Sequence, residues 1–200
     1  MNLYEVGETY SEPIIKVDSW IQESIKAKVA LPHAMNLATV DKRGFPSSRM
    51  VLLKSLSEEG LVFFTDYSSR KGIEIIENGR AAINFWWAKI NKAIRIEGLC
   101  SKVSLEESDA YFNSRPFASK ISAAISNQSQ IITSYEALEK KANKFEEELK
   151  GKEVSRPSRW GGFILKPNRI EFWADKPNRL HVREVFLRLN SSWEKTYLSP

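Results

Sequence analysis

The sequence predicts an α+β fold with an antiparallel sheet or barrel at its centre. Short runs with the two-residue period of half-buried strands recur before residue 104 and after residue 159. Between them the apolar spacing is helical, so strand runs lie on both sides of a helical insert.

In chain order, residues 17–30 read as a helix with Trp20, Ile21, Ile25 and Val29 on one face and Ser19 and Gln22 as its capping pair. Strands are expected at 35–40, 48–54 and 61–65, joined by the turns Asp41-Lys42-Arg43-Gly44 and Ser57-Glu58-Glu59-Gly60. Residues 69–77 form a short helix stopped by Asn78-Gly79. Strands follow at 80–87 and 93–103. Ser104 and Glu107 form a capping box for a helix through Phe112, and a second helix covers 119–125. Thr133 and Glu136 open a third, with Leu138, Ala142, Phe145 and Leu149 as its buried stripe. The chain returns to strands at 160–165, 169–173, 180–189 and 193–198. With no repeat, low-complexity tract or linker, residues 1–200 read as one domain, of which 1–14 form a flexible arm.

Hydrophobic residues make up 42% and charged residues 28%, the balance of an ordinary soluble globular chain rather than a disordered one. No apolar run reaches the length of a membrane span, and the first residues lack the basic and apolar regions of a secretory signal. One cysteine, Cys100, excludes an internal disulfide and a Cys-rich zinc site, so a reducing cytoplasm is the expected setting. The net charge of +5 admits nucleic acid, small anionic ligands or a plain basic surface. The cations recur singly at strand ends (Arg49, Lys54, Arg70, Lys71, Arg115, Arg179, Arg183), which favours a folded pocket over a nucleic-acid groove.

With His33 and His181 as the only histidines, and His33 beside a proline in a loop, there is no Ser-His-Asp arrangement and no metal-ligand spacing. Glycine-rich phosphate loops are missing too. What remains binds anions. If residues 179–183 are a strand, Arg179, His181 and Arg183 share a face that suits an anion or an electron-rich ring. In 48–54, Met50, Leu52 and Lys54 alternate with Arg49, Val51 and Leu53, so Arg49 and Lys54 either bracket an extended ligand or flank an edge strand. Thr65-Asp66-Tyr67-Ser68-Ser69-Arg70-Lys71 enters a helix and is either a phosphate seat or ordinary capping. Tyr111, Arg115 and Ser119 meet at a helix junction near Pro116 and offer a second seat, with Asn127-Gln128-Ser129-Gln130 as an amide-rich loop.

Together, Arg-Met-Val-Leu-Leu-Lys, Ser-Arg-Lys, Tyr-Phe-x-Ser-Arg-Pro, Gln-Ser, Trp-Gly-Gly-Phe, Glu-Phe-Trp and Arg-Leu-His-x-Arg resemble the pyridoxine/pyridoxamine 5′-phosphate oxidase family, in order from about residue 20 to 200. The resemblance implies an FMN-binding split β-barrel with a six-stranded antiparallel core and flanking helices. It implies a homodimer with FMN at the subunit interface and oxidation of a phosphorylated pyridine by O2. Carried over by position, Arg49, Met50, Val51, Leu52, Leu53, Lys54, Phe64, Thr65, Arg70, Lys71, Gln128, Ser129, Trp173 and Arg183 would hold FMN. Lys54, Tyr111, Arg115 and Ser119 would take the substrate phosphate, and Arg179 and His181 would hold the pyridine ring as catalytic residues. The chain departs from the pattern at Ala93, where the family has a flavin-contacting glutamine, and at Phe64, Ala124, Ala174 and Val182. Two other readings are a related flavin oxidase for a phenazine-type ring and a non-catalytic FMN or pyridoxal-phosphate binder.

Overall fold

A computed structural model describes residues 10–150 and 152–200. Nine strands form one antiparallel sheet. In spatial order its main path is β2 (Pro46–Leu52), β1 (Ala34–Val40), β5 (Arg80–Trp87), β6 (Lys92–Lys102), β7 (Trp160–Ala174), β4 (Gly60–Asp66) and β3 (Ser55–Ser57). β8 (Val182–Leu189) pairs with β7, and β9 (Ser192–Tyr197) with β8. The sheet curls around a core that includes Phe63, Phe85, Trp87, Phe163, Phe172 and Phe186. The α+β class read from the sequence holds, as a curled half-barrel with helices around it.

β7 organises the sheet. One edge pairs with β6, while the other pairs first with β4, from Trp160 to Leu165, and then with β8, from Arg169 to Ala174. The two strands expected at 160–165 and 169–173 are therefore one. Pro167 does not break it, because it falls between the two pairings and opposite the bulge at Glu97/Gly98, where the ladder is already interrupted. Gly98 is needed there, since a Cβ would lie 2.1 Å from the Lys166 carbonyl oxygen.

α1 (Glu12–Lys26) starts earlier than expected. Pro13 is compatible with a first turn, and Ser11 at the N-cap position donates from both N and Oγ to Glu58 Oε2, each at 2.9 Å. Ser19 thus lies inside the helix and is not its cap. Glu12–Ile14 do not belong to a loose arm either, because Pro13 and Ile14 are buried; residues 1–9 of the expected arm lie outside the described residues. Ile14, Val17 and Ile21 are fully buried on the core face, a contribution of about 1.5–3 kcal/mol each. The helix stops at Lys26 rather than at residue 30, and Lys28 turns the chain with φ 55°.

α2 (Arg70–Asn78) has the predicted ends: Ser69 Oγ accepts from Gly72 N, and Gly79 takes the left-handed conformation. α3 (Leu105–Ser114), α4 (Phe117–Ile125) and α5 (Tyr135–Leu149) form the helical insert. Ser104 caps α3 as expected, but Ser134 rather than Thr133 caps α5. These helices share a second core of Phe112, Ile121, Ile125, Val154 and Trp160, against which Leu138, Ala142, Phe145 and Leu149 pack half-buried.

The two cores meet where β4 passes β7. Tyr67 Oη donates to the Gly162 carbonyl at 3.1 Å, and a Cβ on Gly161 would sit 2.1 Å from that hydroxyl. Gly161→Ala should therefore lower the urea midpoint by the equivalent of about 2 kcal/mol or more. An unchanged midpoint would show that the β4–β7 approach has slack.

Candidate functional site

A cavity of about 440 Å³ opens between the curled sheet and the helical insert. Its walls come from the end of β2 (Met50, Val51, Leu52), from Lys54 just beyond it, from Phe64 and Thr65 on β4, and from Lys71 on α2. Tyr111, Arg115, Pro116 and Ser119 close it at the α3–α4 junction, with Gln128 and Trp160 at the back. Segments far apart in sequence meet here because β4 lies between β7 and β3, while α3 and α4 pack over Trp160.

The aromatic floor is built from nearly parallel rings. Phe64 stacks on Tyr111 with centroids 4.0 Å apart and lies 5.6 Å from Trp160. Above it stand two cations: Arg115 with its guanidinium 4.5 Å from the Trp160 ring centroid and Lys54 Nζ 5.7 Å from that of Tyr111. Arg115 Nη1 is buried without a hydrogen-bond partner, and burial pulls the guanidinium below its ordinary pKa. A buried guanidinium N–H left unpaired is costly, and an anion entering the cavity would relieve it.

The second cationic element is Lys71. Its Nζ donates to Gln128 Oε1 at 2.7 Å and to Thr65 Oγ1 at 3.1 Å, and Thr65 Oγ1 in turn donates to Gln128 Oε1 at 3.0 Å. Burial, aided by the neighbouring Arg49 charge, lowers the amine to about 8 against the pull of Asp66 and Glu74. Gln128 is held in place through α4. Arg159 Nη2 reaches the carbonyls of Ala123, Ala124 and Ser126, each at 2.9 Å, and so ties down the carbonyl end of that helix. Ser129, with φ 71°, accepts from Arg70 N at 3.2 Å and joins this loop to the start of α2.

Several sequence expectations change here. Arg49 and Lys54 do not bracket a ligand along one strand, because β2 ends at Leu52 and Lys54 N bonds the Val62 carbonyl instead. Arg49 points inward, to Thr39 Oγ1, Ser47 Oγ and Glu74, and does not line the cavity. The Leu53 side chain is buried in the main core. Arg70 is mostly exposed and pairs with Glu74 at 2.8 Å. Glu74 itself is buried; burial pushes its carboxyl up, but Ser47, Thr39 and the nearby arginines hold it down to about 2.

The C-terminal elements form a separate cluster. Arg179, His181 and Arg183 do not share a strand: β8 begins at Val182, and Arg179 sits in a 3-10 turn with φ 61°. Two consecutive left-handed residues, Asn178 and Arg179, turn the chain before the strand can start. His181 nevertheless reaches Trp173, with ring centroids 4.8 Å apart, and its Nδ1 lies 2.9 Å from Asp175 Oδ1. Arg183 is opposite Trp173 in the β7–β8 register. Its Nε bonds Glu171 Oε1 at 2.9 Å, and its Nη1 bonds the Ser199 carbonyl at 3.0 Å. None of Trp173, Arg179, His181 and Arg183 lines the cavity. Trp173 stands thirteen residues beyond Trp160 on the same strand, a contour of roughly 40 Å.

Sequence reading missed Trp160 as a cavity wall and missed the two buried carboxylates, Glu74 and Glu171. Trp160 was legible as the start of a strand and of the Trp-Gly-Gly-Phe motif, but not as a wall. Each carboxylate has one local arginine, Arg70 four residues before Glu74 on α2 and Arg169 two residues before Glu171 on β7, but their remaining partners, Arg49, Arg95 and Arg183, come from other strands. Cys100 is buried, with its thiol pushed up to about 12, and takes no part in either cluster. Among the described residues, no group of His, Cys, Asp and Glu could hold a metal ion, and no helix is long and apolar enough to cross a membrane.

Glu171 is pushed up by burial, but Arg183, Arg169 and Arg95 outweigh this and hold it at about 2. A carboxylate with a depressed native pKa adds stability above its unfolded value near 4.5, and this is lost as pH falls toward 2. Glu171→Gln should therefore flatten the acid limb of a stability-against-pH curve between those values, by on the order of 3 kcal/mol. An acid limb with the wild-type slope would contradict the assigned pairing.

Residues 21–148 match the family described as pyridoxamine 5′-phosphate oxidase, and residues 160–200 match the pyridoxine 5′-phosphate oxidase C-terminal dimerisation region. The pyridoxine/pyridoxamine 5′-phosphate oxidase of Nostoc sp. is 46% identical over 96% of this chain and 91% of that protein. Among solved structures, PhzG from Burkholderia lata in complex with tetrahydrophenazine-1-carboxylic acid superposes with a TM-score of 0.91 at 32% identity, over 96% of this chain and 95% of that one. A pyridoxamine 5′-phosphate oxidase-related, FMN binding protein from Nostoc punctiforme gives 0.76 at 16% identity, covering 96% of this chain and all of the other, a likeness of fold.

Proposed function

The chain belongs to the pyridoxamine 5′-phosphate oxidase family, and from that premise we propose that it oxidises pyridoxamine 5′-phosphate and pyridoxine 5′-phosphate to pyridoxal 5′-phosphate, with O2 as acceptor. The observation that carries the reading is the cavity in which Lys54, Tyr111, Arg115 and Ser119 meet, with an unpaired buried guanidinium N–H among them. That set suits a phosphate dianion: a bidentate fork, a point charge and two hydroxyls.

FMN is the cofactor. Its phosphate suits Lys71, Arg70 and the N–H groups at the start of α2, beside Thr65, Gln128 and Ser129. When bound, it supplies the two-electron chemistry, taking a hydride equivalent from the substrate carbon and passing the electrons to O2, which leaves as hydrogen peroxide. The amine substrate also takes up water and releases ammonia. The protein's part is orientation and charge: the phosphate set anchors one end of the substrate, while His181 and Arg179 hold the pyridine ring.

One chain does not supply both ends. With Trp173 a long strand contour away from the cavity, Trp173, Arg179, His181 and Arg183 serve the cavity of a second copy in a homodimer. The match of residues 160–200 to a dimerisation region supports this. A second reading, oxidation of a phenazine-type ring, draws on the likeness to PhzG. The phosphate set favours the phosphorylated pyridine.

The direct test adds FMN and pyridoxamine 5′-phosphate to purified protein in air and follows absorbance and peroxide. Pyridoxal 5′-phosphate with equimolar peroxide is expected; bound flavin without product would overturn the reading. Arg179→Ala should reduce turnover far more than FMN retention, and equal loss of both would contradict its place on the substrate. Co-expressed Arg115→Ala and Arg179→Ala chains should regain about a quarter of wild-type turnover, since half of randomly formed dimers carry one intact site. Inactive mixtures would mean that each site comes from one chain. FMN affinity should fall as pH rises through about 8, where Lys71 loses its proton in the free protein, because the anion favours the charged amine. Lys71→Arg should remove that dependence, and a profile unchanged by the substitution would assign the titration elsewhere.

A further inference from the structure

The strand register sets four residues in one row across β5, β6, β7 and β8: Trp86 faces Ala93, Ala93 faces Trp173, and Trp173 faces Arg183. Directly opposed residues in antiparallel strands project to the same side of the sheet. Ala93 is the one small side chain in the row, and the two indoles lean together across it, edge to face with centroids 5.8 Å apart. Ala93 is left only 4% exposed. The row borders a groove of about 420 Å³ whose walls include Trp86, Ala93, Trp173, Arg95 and Asn84.

Trp86 does not serve the core. Its neighbours Phe85 and Trp87 are buried on the other side of β5, while Trp86 is 53% exposed. Packing against Trp173 explains its tilt but leaves most of one ring open to the groove. Two residues back on the same side, Asn84 lines the groove with its Oδ1 buried and unpaired. On the neighbouring strand, Arg95 lines the groove with its guanidinium held by Glu171 Oε1 at 2.6 Å. An open indole, an unpaired amide oxygen and a fixed guanidinium suit a planar heterocycle that carries both N–H and carbonyl groups along its edge.

We infer that Trp86 is a further contact of the cofactor ring, packing with its groove-facing side against the isoalloxazine system beside Trp173. The inference rests on the flavin reading above and adds a residue to it. In this arrangement the row supplies apolar ring contact at position 86, where an alanine at 93 supplies none.

The test is FMN titration of apo-protein, followed by quenching of flavin fluorescence, with sedimentation of the same samples. Trp86→Ala should weaken FMN about tenfold, and Trp86→Phe, which keeps an aromatic ring, should stay within about threefold of wild type. Both variants should sediment as the wild-type apo-protein does. Trp86→Ala with wild-type affinity would overturn the inference and leave the flavin reading standing. Altered sedimentation of Trp86→Ala would also overturn it, by making Trp86 a subunit contact. Failure of the wild-type protein to bind FMN would sink the flavin reading, and the inference with it.

Discussion

The length of β7 is the constraint on which the other features depend. A single strand of 15 residues pairs with β6 on one edge and changes partner from β4 to β8 on the other. Its first residue, Trp160, closes the cavity and meets the helical insert, and its far end carries Trp173. Neither end can be moved without breaking pairing along the strand. The cavity walls and the Trp173 cluster are therefore held at a fixed separation within one chain. A rigid spacer of this kind makes two copies the economical way to assemble one complete site.

Charge is arranged to keep some cations occupied and others available. Glu171 gathers Arg95, Arg169 and Arg183, and Glu74 gathers Arg49 and Arg70. Both carboxylates are buried, so these pairs are strongly felt, and removing either acid would strand its arginines near the site. Among the described residues Arg115 has no such acid, and Lys71 is held mainly by neutral oxygens. The contrast singles out Arg115 and Lys71 as the cavity cations not already held by a buried carboxylate. It also explains why the net positive charge of the sequence did not by itself locate the site.

Much of the architecture was legible because its signals are local. Asn78-Gly79 stops α2, Ser104 caps α3, and the two-residue period of β5 matches its burial alternation. Reading failed where distant partners decide. Ser11 is held by Glu58, 47 residues away, so the start of α1 moved toward the N-terminus. Pro167 looked like a boundary because the bulge that accommodates it lies on β6. The gathering of Lys54, Tyr111, Arg115 and Ser119 could be anticipated by resemblance, but the stack beneath them depends on Trp160, which folding delivers from the far side of the insert. The row through Trp86 was invisible because register, not spacing, creates it.

Cys100 has a consequence for a protein proposed to make peroxide at each turnover. Peroxide attacks thiolates, and this chain's single sulfhydryl is shielded inside the sheet with its proton held firmly. Burial thus keeps this thiol both protonated and out of reach, the two conditions that slow its oxidation to sulfenic acid. Among the described residues, the oxidative wear of this protein would fall first on Met50, 61% exposed and on the cavity wall, since Met35 is fully buried.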